Sequence, residues 1–131
     1  MGAHTILVAD DEETVRTYVQ RILSLRGYQV IGARDGADAL DQIVQRGSAV
    51  DVLVTDVRMP RMDGSELAER LAALYPQTPV IYMSGYPFDL DAERQRNPTR
   101  TCTFLPKPFT PKLLAEAVAA CLSSGARTSC A

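Results

Sequence analysis

The sequence predicts an α/β domain: a doubly wound parallel sheet of five strands with helices on both faces. Three observations carry this. Five short apolar runs alternate with stretches whose apolar residues recur at helical spacing. The connections between them are short, as right-handed crossovers allow. The 131 residues are enough for one core and too few for two ordinary ones. A single domain over 1–131 is therefore expected, with its core at about 5–122 and a small, polar tail at 123–131 that frays.

Each element has its own signal. Thr5-Ile6-Leu7-Val8-Ala9 reads as a first strand ending at Asp10 and Asp11, and the helix after it carries Val15, Val19, Ile22 and Leu23 on one face before Gly27 stops it. Gln29-Val30-Ile31-Gly32 is a short second strand. Asp35 is placed to cap a second helix with apolar positions Ala39, Leu40, Ile43 and Val44, ended by Gly47. Val52-Leu53-Val54-Thr55-Asp56 is a β-branched run that stops at a carboxylate, the pattern of a strand covered on both faces. The loop from Val57 to Gly64 leads into a helix directing Leu67, Leu71 and Leu74 inward, closed by Pro76 and Pro79.

Val80-Ile81-Tyr82-Met83 gives a fourth strand ending at Ser84-Gly85. From Tyr86 to Arg100 the helical pattern is weak, with many charges and a break at Asn97-Pro98, so a short or irregular helix is expected. Thr103-Phe104-Leu105 forms a fifth strand reaching Lys107, and Pro106 argues for a sheet edge because proline cannot donate to a central ladder. Thr110 and Pro111 read as N-cap and first-turn proline of a last helix that buries Leu114, Ala117, Val118, Cys121 and Leu122.

Composition narrows the function. A formal net charge of −2 gives no basic footprint for nucleic acid, and no apolar run approaches the roughly 20 residues of a membrane span. The N-terminus lacks the basic and apolar regions of a secretory signal, so the cytoplasm is the expected location. Cys102, Cys121 and Cys130 are odd in number and lack metal-ligand spacing, which favours buried or incidental thiols. His4 carries no functional claim.

The carboxyl ends of parallel strands share one edge, where ligands bind in open α/β sheets. Here they bear Asp10 and Asp11, then Asp56, Ser84 and Lys107. In the flavodoxin-like order 2-1-3-4-5, the first and third strands are neighbours and three acids meet in one crevice. Close carboxylates are relieved by protonation or by a hard divalent cation, and oxygen donors without His or Cys favour Mg2+. The cation and Lys107 would neutralise oxygens of a phosphoryl group, Ser84 would donate to one of them, and Asp56 would be the nucleophile that forms an aspartyl phosphate. Singly, each residue has a plainer role: Asp10-Asp11 as favourable charges at a helix start, Ser84 as a turn residue, Lys107 as a solvated surface charge and Phe104 as core. Their joint placement at successive strand ends is the evidence for a site.

From about Thr5 to Leu122 the chain resembles a response regulator receiver domain of two-component signalling systems. The resemblance rests on Asp10-Asp11, Val54-Thr55-Asp56, Met59-Pro60 with Met62-Asp63-Gly64, Met83-Ser84-Gly85, and Lys107-Pro108-Phe109. It implies that Asp56 is the phosphoacceptor, that Asp11 is the main carboxylate on Mg2+ with Asp10 acting through water, and that the backbone carbonyl of Arg58 completes the protein ligands. It further implies that Lys107 and Ser84 hold the phosphoryl oxygens, that Lys107-Pro108 is a cis peptide, and that Phe104 is the switch aromatic, turning inward as Ser84 is drawn to the phosphoryl group. The domain would be a signalling phosphoacceptor and not an enzyme with turnover. Its partner would be a sensor histidine kinase or a histidine phosphotransfer domain, with no direct contact to nucleic acid or membrane. Arg58 and Tyr86 flank the reactive site and are placed to tune how long the phosphate lasts.

The weak helix after Ser84 and the lack of a Gly-Ala element before the fifth strand set the chain apart from receivers that dimerise through their last two helices. Met83-Ser84-Gly85-Tyr86 and the stretch from Phe104 to Phe109 look more like receivers of hybrid sensor histidine kinases. The expectation is a domain of such a parent chain or a stand-alone phosphorelay protein. Other readings remain: a receiver acting by protein contact without phosphorylation, an aspartate-nucleophile phosphatase of the haloacid dehalogenase type, and a flavin-binding module. The phosphatase reading lacks an Asp-x-Asp motif on the first strand, and the flavin reading lacks a Gly/Ser/Thr-rich phosphate cradle.

Overall fold

The computed structural model describes residues 4–96 and 101–130, with side chains through Ser123. The strands are β1 (Thr5–Ala9), β2 (Gln29–Ala33), β3 (Val52–Asp56), β4 (Val80–Ser84) and β5 (Cys102–Pro106). They alternate with α1 (Glu13–Leu25), α2 (Gly36–Arg46), α3 (Gly64–Leu74), α4 (Leu90–Arg96) and α5 (Pro111–Cys130). All pairings are parallel and the order is β2-β1-β3-β4-β5, as expected. β5 lies at an edge, where Pro106 breaks no central ladder.

Alternation along each strand splits the core in two. Ile6, Val8, Val52, Val54, Ile81 and Met83 point to the face covered by Val19, Ile22 and Leu23 of α1 and Leu114 and Val118 of α5. Leu7, Leu53, Val80 and Tyr82 point to the other, covered by Ala39 and Ile43 of α2 and Leu67 and Leu71 of α3. Each fully buried aliphatic side chain contributes about 1.5–3 kcal/mol, which is why these β-branched runs take the centre.

The helix ends follow their sequence signals. Asp35 accepts from the Asp38 N–H at 2.8 Å and Asp63 from the Glu66 N–H at 2.9 Å. Thr110 Oγ1 accepts from the Leu113 N–H, and Gly47 ends α2 at a φ of +71°. α4 is seven residues long, the short helix its sequence implied.

Three expectations need correction. Val44 is 61% exposed because Ala39, Leu40 and Ile43 already complete the inward stripe. Leu74 is 48% exposed because it is the last residue of α3, at the margin of the sheet. α5 continues to Cys130 rather than ending near Leu122, since no proline interrupts it there. The expected break at Asn97-Pro98 and the side chain of Cys130 lie outside the described residues. Cys102 and Cys121 are buried cysteines, and burial pushes the Cys121 thiol up to about 11. Among the described residues no helix is long and apolar enough to cross a membrane.

Candidate functional site

Strand register sets the site. Asp56 pairs in register with Met83, and Ser84 with Pro106, so these strand ends lie level along one edge. Backbone bonds from Asp10 N to Ala33 O, from Val57 N to Met83 O and from Lys107 N to Ser84 O extend the ladder one residue past the strands. Asp10, Asp56, Ser84 and Lys107 are thus held by the sheet itself, and Asp11 follows directly after Asp10.

Asp10 is fully buried, Asp56 is 8% exposed and Asp11 is open to solvent. Lys107 Nζ reaches Asp10 Oδ2 at 3.1 Å and Asp56 Oδ1 at 3.4 Å. The other Asp10 oxygen accepts the Glu12 N–H at 2.9 Å. Ser84 Oγ accepts the Tyr86 N–H at 3.0 Å. Arg58 lays its guanidinium over the Tyr86 ring, 4.9 Å from the centroid, at the mouth of a crevice shared with Asp11, Asp56, Ser84 and Lys107. The Lys107-Pro108 peptide is cis.

Burial pushes the Asp56 carboxyl up to about 6, and the negative charge of Asp10 adds to the effect while Lys107 opposes it. For Lys107, burial works against the ammonium, but the charges of Asp10 and Asp56 outweigh it and hold its pKa above the usual value. Oxygen atoms of Asp10, Asp11 and Asp56 all lie within 4.8 Å of one another. Oxygens bound at about 2.1 Å around one small cation fall about 3–4.2 Å apart, so this all-oxygen set fits a hard divalent cation after a small adjustment. Three carboxylates against one ammonium leave the negative charge such an ion would balance.

The loop after β3 is tightly seated. A side-chain carbon on Gly64 would fall on the Asp56 carbonyl oxygen, and the Gly64 N–H donates to Val57 O at 2.9 Å. Arg61, at a φ of +69°, forms an ion pair with the buried Asp35 at the start of α2. Nothing in the sequence singles out that pair, because its two members are 26 positions apart, Asp35 reads as a helix cap and Arg61 as an ordinary loop charge.

Phe104 stands apart from the carboxylates. It is half-buried on the α2–α3 face and stacks on Phe88 at 5.8 Å. Phe88 in turn packs on Tyr82 at 4.7 Å. Neither Phe88 nor Tyr82 stands out in the sequence as a functional residue. Two aromatics six positions apart, one in a strand and one in a loop, carry no motif.

The family model described as "Response regulator receiver domain" matches residues 6–119. The chain is 41% identical over 117 residues to "Sensor kinase CckA" of Brucella abortus (strain 2308), covering 89% of this chain and 12% of that protein. It is 39% identical over 105 residues to "Response regulator MprA" of Mycobacterium avium (strain 104), covering 79% of this chain and 44% of that one. The chain thus spans less than half the length of either relative. Among solved structures, the "receiver domain from Hybrid Histidine Kinase CckA" superposes with a TM-score of 0.76 at 36% identity, covering 90% of this chain and 98% of that one.

Proposed function

Because the chain belongs to the response regulator receiver domain family of two-component signalling, we propose that its strand-end site takes a phosphoryl group onto Asp56. The donor is a phosphohistidine on a sensor histidine kinase or a histidine phosphotransfer domain. The observation that carries this is the convergence of Asp10, Asp11 and Asp56 with Lys107 at one sheet edge.

An Asp56 carboxylate oxygen attacks phosphorus, the P–N bond to imidazole breaks, and its electron pair leaves with the imidazole nitrogen, which takes a proton from solvent. The ionised form of Asp56 is the nucleophile, and the nearby Lys107 ammonium favours it against burial. Asp11, Asp56 and the Arg58 carbonyl, with Asp10 acting through water, would hold Mg2+, whose positive charge would neutralise the phosphoryl oxygens. Lys107 turns from Asp56 Oδ1 towards one of those oxygens, and the Ser84 hydroxyl leaves the Tyr86 N–H to donate to another. Movement of Ser84 opens space beside β4 for Phe104, which changes the surface offered to a partner.

The domain is a switch in the cytoplasm, without turnover of a separate substrate, in a hybrid kinase chain or a phosphorelay. A receiver that signals by contact alone is the second reading, disfavoured because a contact surface needs no buried, paired carboxylate cluster. Acetyl phosphate labelling followed by peptide mapping tests the assignment. A phosphoryl group on the peptide carrying Asp56 supports it, and one on another acid overturns it.

A further inference from the structure

We propose that Glu93 is a buried latch holding α4 to the sheet, and that Phe88 couples this latch to Phe104. The proposal rests on the reading of Asp56 as phosphoacceptor and of Phe104 as the group that moves, and it goes further by naming what is released.

α4 has seven residues, too few to persist as a helix without tertiary support. Its buried residue is a glutamate, where an ordinary packed helix would place a leucine. The Glu93 side chain is 5% exposed, and three elements supply its partners. Ser65 Oγ in α3 donates to Oε1 at 2.7 Å, and the Tyr82 hydroxyl in β4 donates to Oε2 at 3.1 Å. Arg96, one turn on, reaches Oε1 at 3.5 Å and ties outward to Glu69 of α3 at 3.1 Å. An apolar contact weakens gradually as it slides, but a buried carboxylate that loses a donor incurs most of the desolvation cost at once. α4 is therefore held by a contact with two states, seated or released.

The aromatic stack leads from this latch towards the strand-end site. Tyr82 and Phe104 are register partners on β4 and β5, and both face the same side of the sheet. Phe88 contacts both rings, at 4.7 Å and 5.8 Å. Its carbonyl accepts the N–H of Leu90, the first residue of α4. When Phe104 turns towards Ser84, Phe88 loses the ring it stacks on. The start of α4 then shifts and the Tyr82–Glu93 bond lengthens. Glu93 is thus a positioning residue for the output surface and takes no part in phosphoryl chemistry.

Amide exchange followed by NMR at Leu90–Arg96, with β4 amides as internal reference, tests the proposal in the whole protein. In the resting protein, Glu93→Ala and Ser65→Ala speed α4 exchange by about tenfold or more relative to β4. Should Glu93→Ala not fold, Ser65→Ala carries the comparison, since it removes one hydroxyl. Unchanged α4 rates in a folded variant overturn the latch. After acetyl phosphate with Mg2+, wild type shows the same selective loosening, whereas Phe88→Leu takes up the phosphoryl group but keeps resting α4 rates. Phosphorylated wild type with resting α4 rates, or Phe88→Leu that still loosens α4, overturns the coupling. A wild type that takes up no phosphoryl group contradicts the reading of Asp56, and the resting comparison still decides the latch.

Discussion

The Lys107 ammonium lies 3.4 Å from a carboxylate oxygen of Asp56, so the proposed nucleophile is paired with a cation before any phosphoryl group arrives. The same ammonium is bound to fully buried Asp10 at 3.1 Å. Lys107 and a bound divalent cation would thus neutralise overlapping sets of carboxylates, and each would lower the site's demand for the other.

Replacing Lys107 with Met should therefore tighten Mg2+ binding, on the order of tenfold, by removing a positive charge a few ångströms from the ion. The same change should destabilise the metal-free protein, because it leaves two buried acids unpaired. Titration with Mg2+ followed by tyrosine fluorescence, alongside thermal melts with and without the metal, reads both effects.

Asp56 gives the metal-free protein a pH signature. Its pKa is pushed up to about 6 in the folded chain, chiefly by burial, against about 3.9 when unfolded. The native state therefore binds the proton more tightly, and the stability this contributes is present below about pH 4 and lost as pH rises through about 6. Asp56→Asn, which cannot ionise, should melt a few degrees above wild type at pH 7.5, with the gap closing by pH 4. Magnesium should narrow the gap at pH 7.5 by stabilising the ionised wild type.

Asp35 has the opposite sign. The Asp38 N–H and the Arg61 guanidinium hold its carboxyl below the usual range, so its contribution is present above about pH 4 and is lost as pH falls through the lower folded value. Asp35→Ala removes both the helix cap and the tie to the loop after β3. It should cost about 1–2 kcal/mol at pH 7 in urea unfolding, and less at pH 3.

Gly64→Ala tests how closely the loop packs on the end of β3. The added methyl group would meet the Asp56 carbonyl oxygen, part of the backbone that carries the proposed phosphoacceptor. A loss of about 1–3 kcal/mol is expected in denaturant unfolding, together with slower phosphoryl uptake.

The strand-end residues were legible because the chemistry of a parallel sheet is concentrated where each apolar run stops, and those stops are visible in one dimension. Asp10, Asp11, Asp56, Ser84 and Lys107 each close or follow such a run, and the structure brings all five to one edge. The attachment of α4 was not legible. Glu93 stands in a stretch of alternating charges that reads as solvated, and its partners Ser65 and Tyr82 come from other elements. The Asp35–Arg61 pair was hidden for the same reason, and because the left-handed backbone of Arg61 leaves no mark on residue type. Val44 and Leu74 show the reverse error, since helical spacing alone cannot tell how wide the inward stripe of a helix is, nor where the sheet beneath it ends.

Under the proposed function, Asp56 accepts a phosphoryl group in a reaction that needs the acidic cluster and its metal. Intact-protein mass spectrometry after incubation with acetyl phosphate, with and without Mg2+, tests it most directly on wild type and Asp56→Asn. A single phosphoryl adduct on wild type that requires Mg2+ and is absent from the variant is the expected result. An adduct of equal yield on Asp56→Asn, or no adduct on wild type where a control receiver is labelled, would contradict it.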